Sequence, residues 1–296
     1  VAERDSQIVL GLDPDPSSLW PAADPAGGEA AERASEAVTR HCCALIDAAG
    51  GQCVAVKLQL ARFEALGPRG AAAARLVAAH ARAAGLLVIA DGKRGDIDVT
   101  AAAYAASLGA GIDTPYGHVP GLEADLATVN PLMGRDALAP FVDAARARGA
   151  GVLVLVRTSN PGAADLFDLR LASGEALWER VARIVHELGA DGVGEAGISD
   201  VGAVIGATEP AHLLRARELM PHTPFLLPGV GAQGGRVEDL APAFALGPAG
   251  GLVSASRSIA EAHRSGDADP ARAAHAEAQR LRTRARELCD AAAAAT

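Results

Sequence analysis

Along the chain, short runs of apolar and β-branched residues alternate with longer Ala-rich stretches of helical periodicity. The runs predict strands at 7–13 (QIVLGLD), 53–59 (CVAVKLQ), 86–91 (LLVIAD), 124–130 (ADLATVN), 151–158 (GVLVLVRT), 202–208 (GAVIGAT), 223–230 (TPFLLPGV) and 250–256 (GGLVSAS). The stretches between them predict helices at 29–49, 68–84, 98–108, 135–148, 174–188, 209–219 and 235–246, with a last helix at 270–294. Strands that are apolar throughout, rather than alternating, suit a parallel sheet covered on both faces. Eight such units in about 250 residues have the size and rhythm of a (β/α)8 TIM barrel. The expected fold is therefore α/β, one barrel domain over residues 1–296, with 266–296 a C-terminal helical extension packed on it. A doubly wound open sheet fits less well, because the first strand runs into DPDPSS and not into a GxGxxG turn. PAADPAGG and DTPYGHVPG are short enough to be loops.

Composition narrows the function classes. Half of the 296 residues are apolar, enough for a large core. The net charge is -9 and no basic run is interleaved with aromatics, which argues against a nucleic-acid partner. Cys42, Cys43, Cys53 and Cys289 form no CxxC pair and are expected to be buried, reduced thiols; the scattered histidines show no metal-ligand spacing. No apolar stretch reaches the roughly 18 residues that would span a bilayer, and VAERDSQIVLGLD has no signal-peptide h-region. No membrane partner and a cytoplasmic location are the expectations.

In a barrel of this kind the chemistry sits at the C-terminal ends of the strands, and there the chain is conspicuously polar. The ends carry Asp13, then Lys57 and Gln59, then Asp91 with Lys93 and Asp96 beyond, then Asn130, then Thr158, Ser159 and Asn160, then PGVGAQGG, then Ser256 and Arg257. Asp98, just ahead of VTAAAYAASL, reads as the N-cap of the next helix. Asp91 and Lys93 lie too far upstream to cap it, so chemistry is the better reading of that pair. Arg94 reads as a surface or interface cation. The glycines of PGVGAQGG, the helix expected after them and Arg257 suit a phosphate group, with tight turns and a surface arginine as the plainer alternative.

Taken in order, GLD, VKLQLARFE, ADGKRGDIDVTAAAYA, VNPLMGRDALAPF, VRTSNPGA, VIGAT, PGVGAQGG and SASRSI carry a resemblance to the orotidine 5'-monophosphate decarboxylase family, in particular its longer bacterial subgroup, over about residues 7 to 265. The resemblance implies decarboxylation of orotidine 5'-monophosphate to uridine 5'-monophosphate and CO2 in pyrimidine biosynthesis. It implies no metal and no organic cofactor, and a homodimer with shared active sites. Position by position, it makes Lys93 the proton donor to the ring carbon that loses CO2, Asp91 the carboxylate beside the substrate carboxylate, and Lys57 a member of the same charge network that reaches the ribose. Asp96 would enter from the partner subunit with Ile97 and Thr100. Asp13 would hold a ribose hydroxyl, Ser159 the base, and Pro228, Gln233 and Arg257 the phosphate.

Three positions depart from the family pattern: Gly92 where a larger residue is common, Leu58 where the subgroup tends to have Pro, and Asp98 in place of a usual Gly. None removes a catalytic group. Two other readings stay open. Sugar-phosphate relatives that share DxKxxD hold Mg2+ with a carboxylate where this chain has Lys57, and a non-catalytic nucleotide-binding barrel would tend to lack one of Lys57, Asp91, Lys93 and Asp96.

Overall fold

The computed structural model describes residues 1–25, 27–207, 209–230, 234–266 and 269–294. Its strands are β1 (Ile8–Leu12), β2 (Ala55–Gln59), β3 (Leu87–Arg94), β4 (Gly111–Thr114), β5 (Gly117–Pro120), β6 (Leu126–Val129), β7 (Gly151–Arg157), β8 (Val201–Ile205), β9 (Phe225–Leu227) and β10 (Gly251–Ala255). Eight of them close a barrel in the order β1-β10-β9-β8-β7-β6-β3-β2, every pairing parallel, while β4 and β5 pair only with each other. Each of the eight expected strands is a stave of this (β/α)8 TIM barrel.

The helices are α1 (Ala30–Ala49), α2 (Leu60–Glu64), α3 (Gly67–Ala83), α4 (Asp98–Leu108), α5 (Arg135–Arg146), α6 (Ala164–Phe167), α7 (Leu177–Gly189), α8 (Pro210–Leu219), α9 (Arg257–Ala260) and α10 (Pro270–Ala294). The two-residue period of a strand splits each stave between two cores. Val9, Ala55, Ile89, Leu153, Val204, Leu226 and Leu252 fill the barrel interior. Their neighbours in sequence, such as Leu10, Val56, Val88, Val154 and Val253, face the helices. Helix α7 shows the matching pattern: Trp178, Val181, Ala182 and Val185 form one buried stripe that packs on β7 and β8. Burying each large apolar side chain contributes about 1.5–3 kcal/mol before the cost of ordering the chain.

The N-terminal end of the barrel is tied off by cations. Arg4 donates to the carbonyls of Cys53 (2.7 Å) and Gly50 (2.8 Å), and Arg282 of α10 donates to the Asp5 carbonyl (2.8 Å) and Gln52 Oε1 (3.0 Å). Helix α10 lies along α1 and the Val237–Leu246 segment. Among the described residues no helix is long and apolar enough to cross a membrane.

Three expectations need correction. DTPYGHVPG is no plain loop: β4 and β5 make an antiparallel hairpin whose turn is held by Thr114, whose hydroxyl donates to the Gly117 carbonyl (2.7 Å) and accepts the Tyr116 N–H (3.1 Å). The expected helix at 235–246 is a 3-10 segment over Val237–Leu246, with Pro242 inside it, where an N–H for α-helical bonding is missing. Asp98 caps nothing with its side chain: the N-cap of α4 is Ile97, and Asp98 is the first helical residue.

Candidate active site

The interior face of β2 runs from Ala55 to Lys57 to Gln59, and that of β3 from Ile89 to Asp91 to Lys93, so the apolar filling of the barrel gives way to charge at its C-terminal mouth. Strand β3 is also bulged against β6: Ala90 pairs with Ala127 and Arg94 with Val129, leaving Asp91, Gly92 and Lys93 opposite Thr128 alone. Lys93 takes a φ of +48°, in the left-handed region that side chains avoid, and its N–H donates to Thr128 Oγ1 at 2.9 Å.

Asp91 is the hub. Its Oδ2 accepts from Lys57 Nζ at 2.7 Å and from Gln59 Nε2 at 3.4 Å, and its Oδ1 accepts from Lys93 Nζ at 2.6 Å and Thr128 Oγ1 at 2.9 Å. Burial alone pushes its pKa up, but the ammonium groups of Lys57 and Lys93 outweigh that and hold the carboxyl below its ordinary value. Lys57 is as buried as Asp91, and Asp13 Oδ1 stands 3.9 Å from its Nζ. Lys93 differs, since its side chain is 44% exposed and lines the cavity above the pair.

This network floors a cavity of about 680 Å³, the size of a small-molecule site. Asp13, Lys57, Asp91, Lys93, Ser159, Pro228 and Arg257 all line it. Two close approaches shape its walls. A Cβ on Gly11 would stand 1.8 Å from Ser256 Oγ, so only glycine lets that hydroxyl sit over β1, and a Cβ on Gly206 would stand 2.7 Å from Ser159 Cα. Arg257 is exposed and makes no ion pair among the described residues. The segment after β9 returns through a Gly235 N–H to Gly229 carbonyl bond of 3.0 Å; Gln233 lies outside the described residues. The helical dipole expected behind these glycines is replaced by the 3-10 segment beginning at Val237.

Asp96, Ile97 and Thr100 do not line this cavity. Asp96 Oδ1 accepts the Ile97 N–H (2.8 Å), and Ile97, Val99 and Thr100 are exposed along the start of α4. Asp98 has a φ of +48°, a conformation that favours glycine and that aspartate adopts at modest cost. The Gly that the family resemblance expects at this position is thereby explained. Asn130 also stays out of the cavity, its side chain accepting the Leu132 N–H (3.0 Å) in the turn after β6.

Sequence reading missed Thr128, whose hydroxyl bridges Asp91 and the Lys93 backbone; as a strand-forming residue inside ADLATVN it gives no signal of its own. It also missed Asp15, which pairs with Arg62 at 3.5 Å on the cavity rim.

Fold and site together define an α/β barrel with alternating charges, Asp13, Lys57, Asp91 and Lys93, gathered at its strand ends. A match to the family described as Orotidine 5'-phosphate decarboxylase / HUMPS spans residues 6–276. The orotidine 5'-phosphate decarboxylase of Rhodopirellula baltica is 43% identical over 263 residues, covering 88% of this chain and 85% of that protein. That of Deinococcus radiodurans is 46% identical over 217 residues, covering 73% of this chain and 74% of that protein. The solved OMP decarboxylase of Leishmania donovani superposes with a TM-score of 0.73 at 31% identity, over 98% of this chain and 97% of that one. The chain belongs to the orotidine 5'-phosphate decarboxylase / HUMPS family, and it is an enzyme, a carboxy-lyase.

Proposed function

We propose that the chain converts orotidine 5'-monophosphate to uridine 5'-monophosphate and CO2, with Lys93 stabilising the anion left on the ring carbon and then protonating it. One observation carries the reading: a buried carboxylate, Asp91, held ionised between two ammonium groups at 2.7 and 2.6 Å, one of which faces the cavity. Loss of CO2 from the pyrimidine ring leaves charge that no adjacent carbonyl can take up as an enolate. A fixed ammonium at that carbon lowers the barrier electrostatically and supplies the proton. Asp91 would lie beside the substrate carboxylate, and its paired contacts orient both lysines before substrate arrives.

Asp13 would take a ribose hydroxyl together with Lys57, Ser159 the base, and Pro228, Gln233 and Arg257 the phosphate. The reading calls on no metal and no organic cofactor. Lys57 supports this, because its ammonium stands 3.9 Å from Asp13 and 2.7 Å from Asp91, where a cation held by the two carboxylates would have to sit. The proposed assembly is a cytoplasmic homodimer, each chain one barrel domain over 1–296 with 266–296 as its helical extension. Asp96, Ile97 and Thr100 would complete the site of the partner subunit; their position outside the cavity, beside exposed Val99, supports that role.

The test is the ultraviolet absorbance change of orotidine 5'-monophosphate with purified protein, with and without EDTA, and with Lys93→Ala. Metal-independent turnover that disappears in the variant is expected. No turnover by folded protein would overturn the reading and move the search to sugar phosphates.

A further inference from the structure

At the end of β7 the chain carries a cation that its sequence phase aims into the cavity and its structure does not. Leu153 and Leu155 face the barrel interior, and Leu155 lines the cavity, so a regular strand would bring Arg157 to the same wall. A bulge intervenes: Leu155 pairs with Val204 and Arg157 with Ile205, so Val156 is the extra residue. Arg157 leaves the cavity wall, and Thr158, Ser159 and Asn160 take its place.

Arg157 is used elsewhere. Its Nε and Nη2 donate to Asp168 Oδ1 and Oδ2, both at 2.9 Å, a two-pronged pair that joins the two ends of the Thr158–Phe167 loop. The Arg157 side chain is 13% exposed. Hydrogen bonding to that guanidinium holds the Asp168 carboxyl below its ordinary pKa. Inside the loop, Thr158 Oγ1 donates to Asn160 Oδ1 (2.7 Å) and the Ala163 N–H to the Asn160 carbonyl (3.0 Å). Underneath, the Gly206 N–H donates to the Arg157 carbonyl (2.9 Å), and its missing side chain leaves the space that Ser159 fills.

We propose that Arg157 and Asp168 are positioning residues for substrate: their paired contact sets where the Thr158–Asn160 wall stands, and hence how tightly the nucleotide base is held. This rests on the reading of the cavity as an orotidine 5'-monophosphate site. Asp168 is 36% exposed on its side chain, and an ion pair that open to water adds little to global stability. The two-pronged geometry, by contrast, restricts the loop directly. The expected signature is therefore a loss of binding without a loss of fold.

The experiment compares wild type, Asp168→Asn, Asp168→Glu and Arg157→Lys at about pH 8, where the neighbouring His212, its pKa lowered by burial, is neutral. In Asp168→Asn, KM should rise about 5- to 10-fold with kcat within about twofold, the pattern of lost uniform binding. Arg157→Lys keeps the charge but not the fork and should behave alike; Asp168→Glu should recover most of the binding. Amide hydrogen exchange across 158–167 should quicken in Asp168→Asn while the other strand ends exchange as in wild type. Wild-type KM in Asp168→Asn alongside normal wild-type turnover, or unchanged exchange across the loop, would overturn the clamp. Absence of turnover in wild type would strike the parent reading instead, and the exchange comparison would then decide the clamp alone.

Discussion

Lys57 and Asp91 form an ion pair of 2.7 Å in which each side chain is only 7% exposed, while Lys93, on the other oxygen of the same carboxylate, is open to water. The two lysines therefore differ in what their loss does. Breaking a buried pair by removing one partner typically costs about 3–5 kcal/mol, because a charge is left buried alone. Asp91→Ala strands Lys57 and should lower stability by roughly that amount, whereas Lys93→Ala should stay within about 1 kcal/mol of wild type and lose turnover. Urea unfolding of the two variants beside wild type decides this; equal destabilisation would contradict the asymmetry.

The same carboxylate sets an acid dependence. Folded Asp91 titrates below its ordinary 3.8, so the unfolded chain binds the extra proton first as pH falls. Its contribution to stability is complete above that value and is lost as pH drops through the folded pKa. Thermal melts from about pH 6 to about pH 3 should fall more steeply for wild type than for Asp91→Asn. Parallel curves would mean that Asp91 is not the group that the lysines hold ionised.

Arg257 lines the cavity and has no ion pair among the described residues, so its proposed role at the substrate phosphate can be tested without breaking another contact of that kind. A hydrogen bond to a charged group is worth about 1.5–3 kcal/mol, so Arg257→Ala should weaken uridine 5'-monophosphate binding roughly 10- to 150-fold. Uridine, which lacks the phosphate, should bind wild type and variant alike. Calorimetry with both ligands separates a phosphate contact from general damage, and an equal loss for the two would argue against it.

If Asp96 serves the site of the partner subunit, two dead variants should rescue one another. Lys93→Ala and Asp96→Ala proteins mixed under conditions of subunit exchange should recover activity, because a mixed dimer has one site with both residues intact. At equal mixing and full exchange about half the dimers are mixed, so about a quarter of wild-type activity is the ceiling. No recovery, with exchange measured independently by mass labelling, would place Asp96 in the site of its own chain.

The barrel was legible because its staves are buried on both faces and so read as unbroken apolar runs. Polar residues at their ends then stood out, and Lys57, Asp91, Lys93, Ser159 and Arg257 do meet at one cavity. What escaped had no local pattern to show. Thr128 looks like any strand residue, and Arg157 finds Asp168 across a loop that no periodicity links. The β4–β5 hairpin escaped because its strands are four residues long, outward-facing and bounded by Gly and Pro. Asp98 misled because a helix start can shift by one residue, and that shift moves a capping position into the first turn.

The bulge in β3 gives this chain a counting rule. A strand is a two-state alternator, cavity side or helix side, and Asp91, Gly92 and Lys93 occupy three beats against the single beat of Thr128. Deleting Gly92 would invert everything downstream of it, handing the position of Lys93 to Arg94's phase and turning the ammonium toward the helices. Length changes in the exposed β4–β5 hairpin carry no such penalty, since nothing in the barrel keeps time with it. Within β3 the chemistry is thus protected by parity: a single-residue insertion or deletion between Ile89 and Arg94 is ruinous, while one confined to the Gly111–Pro120 hairpin is silent.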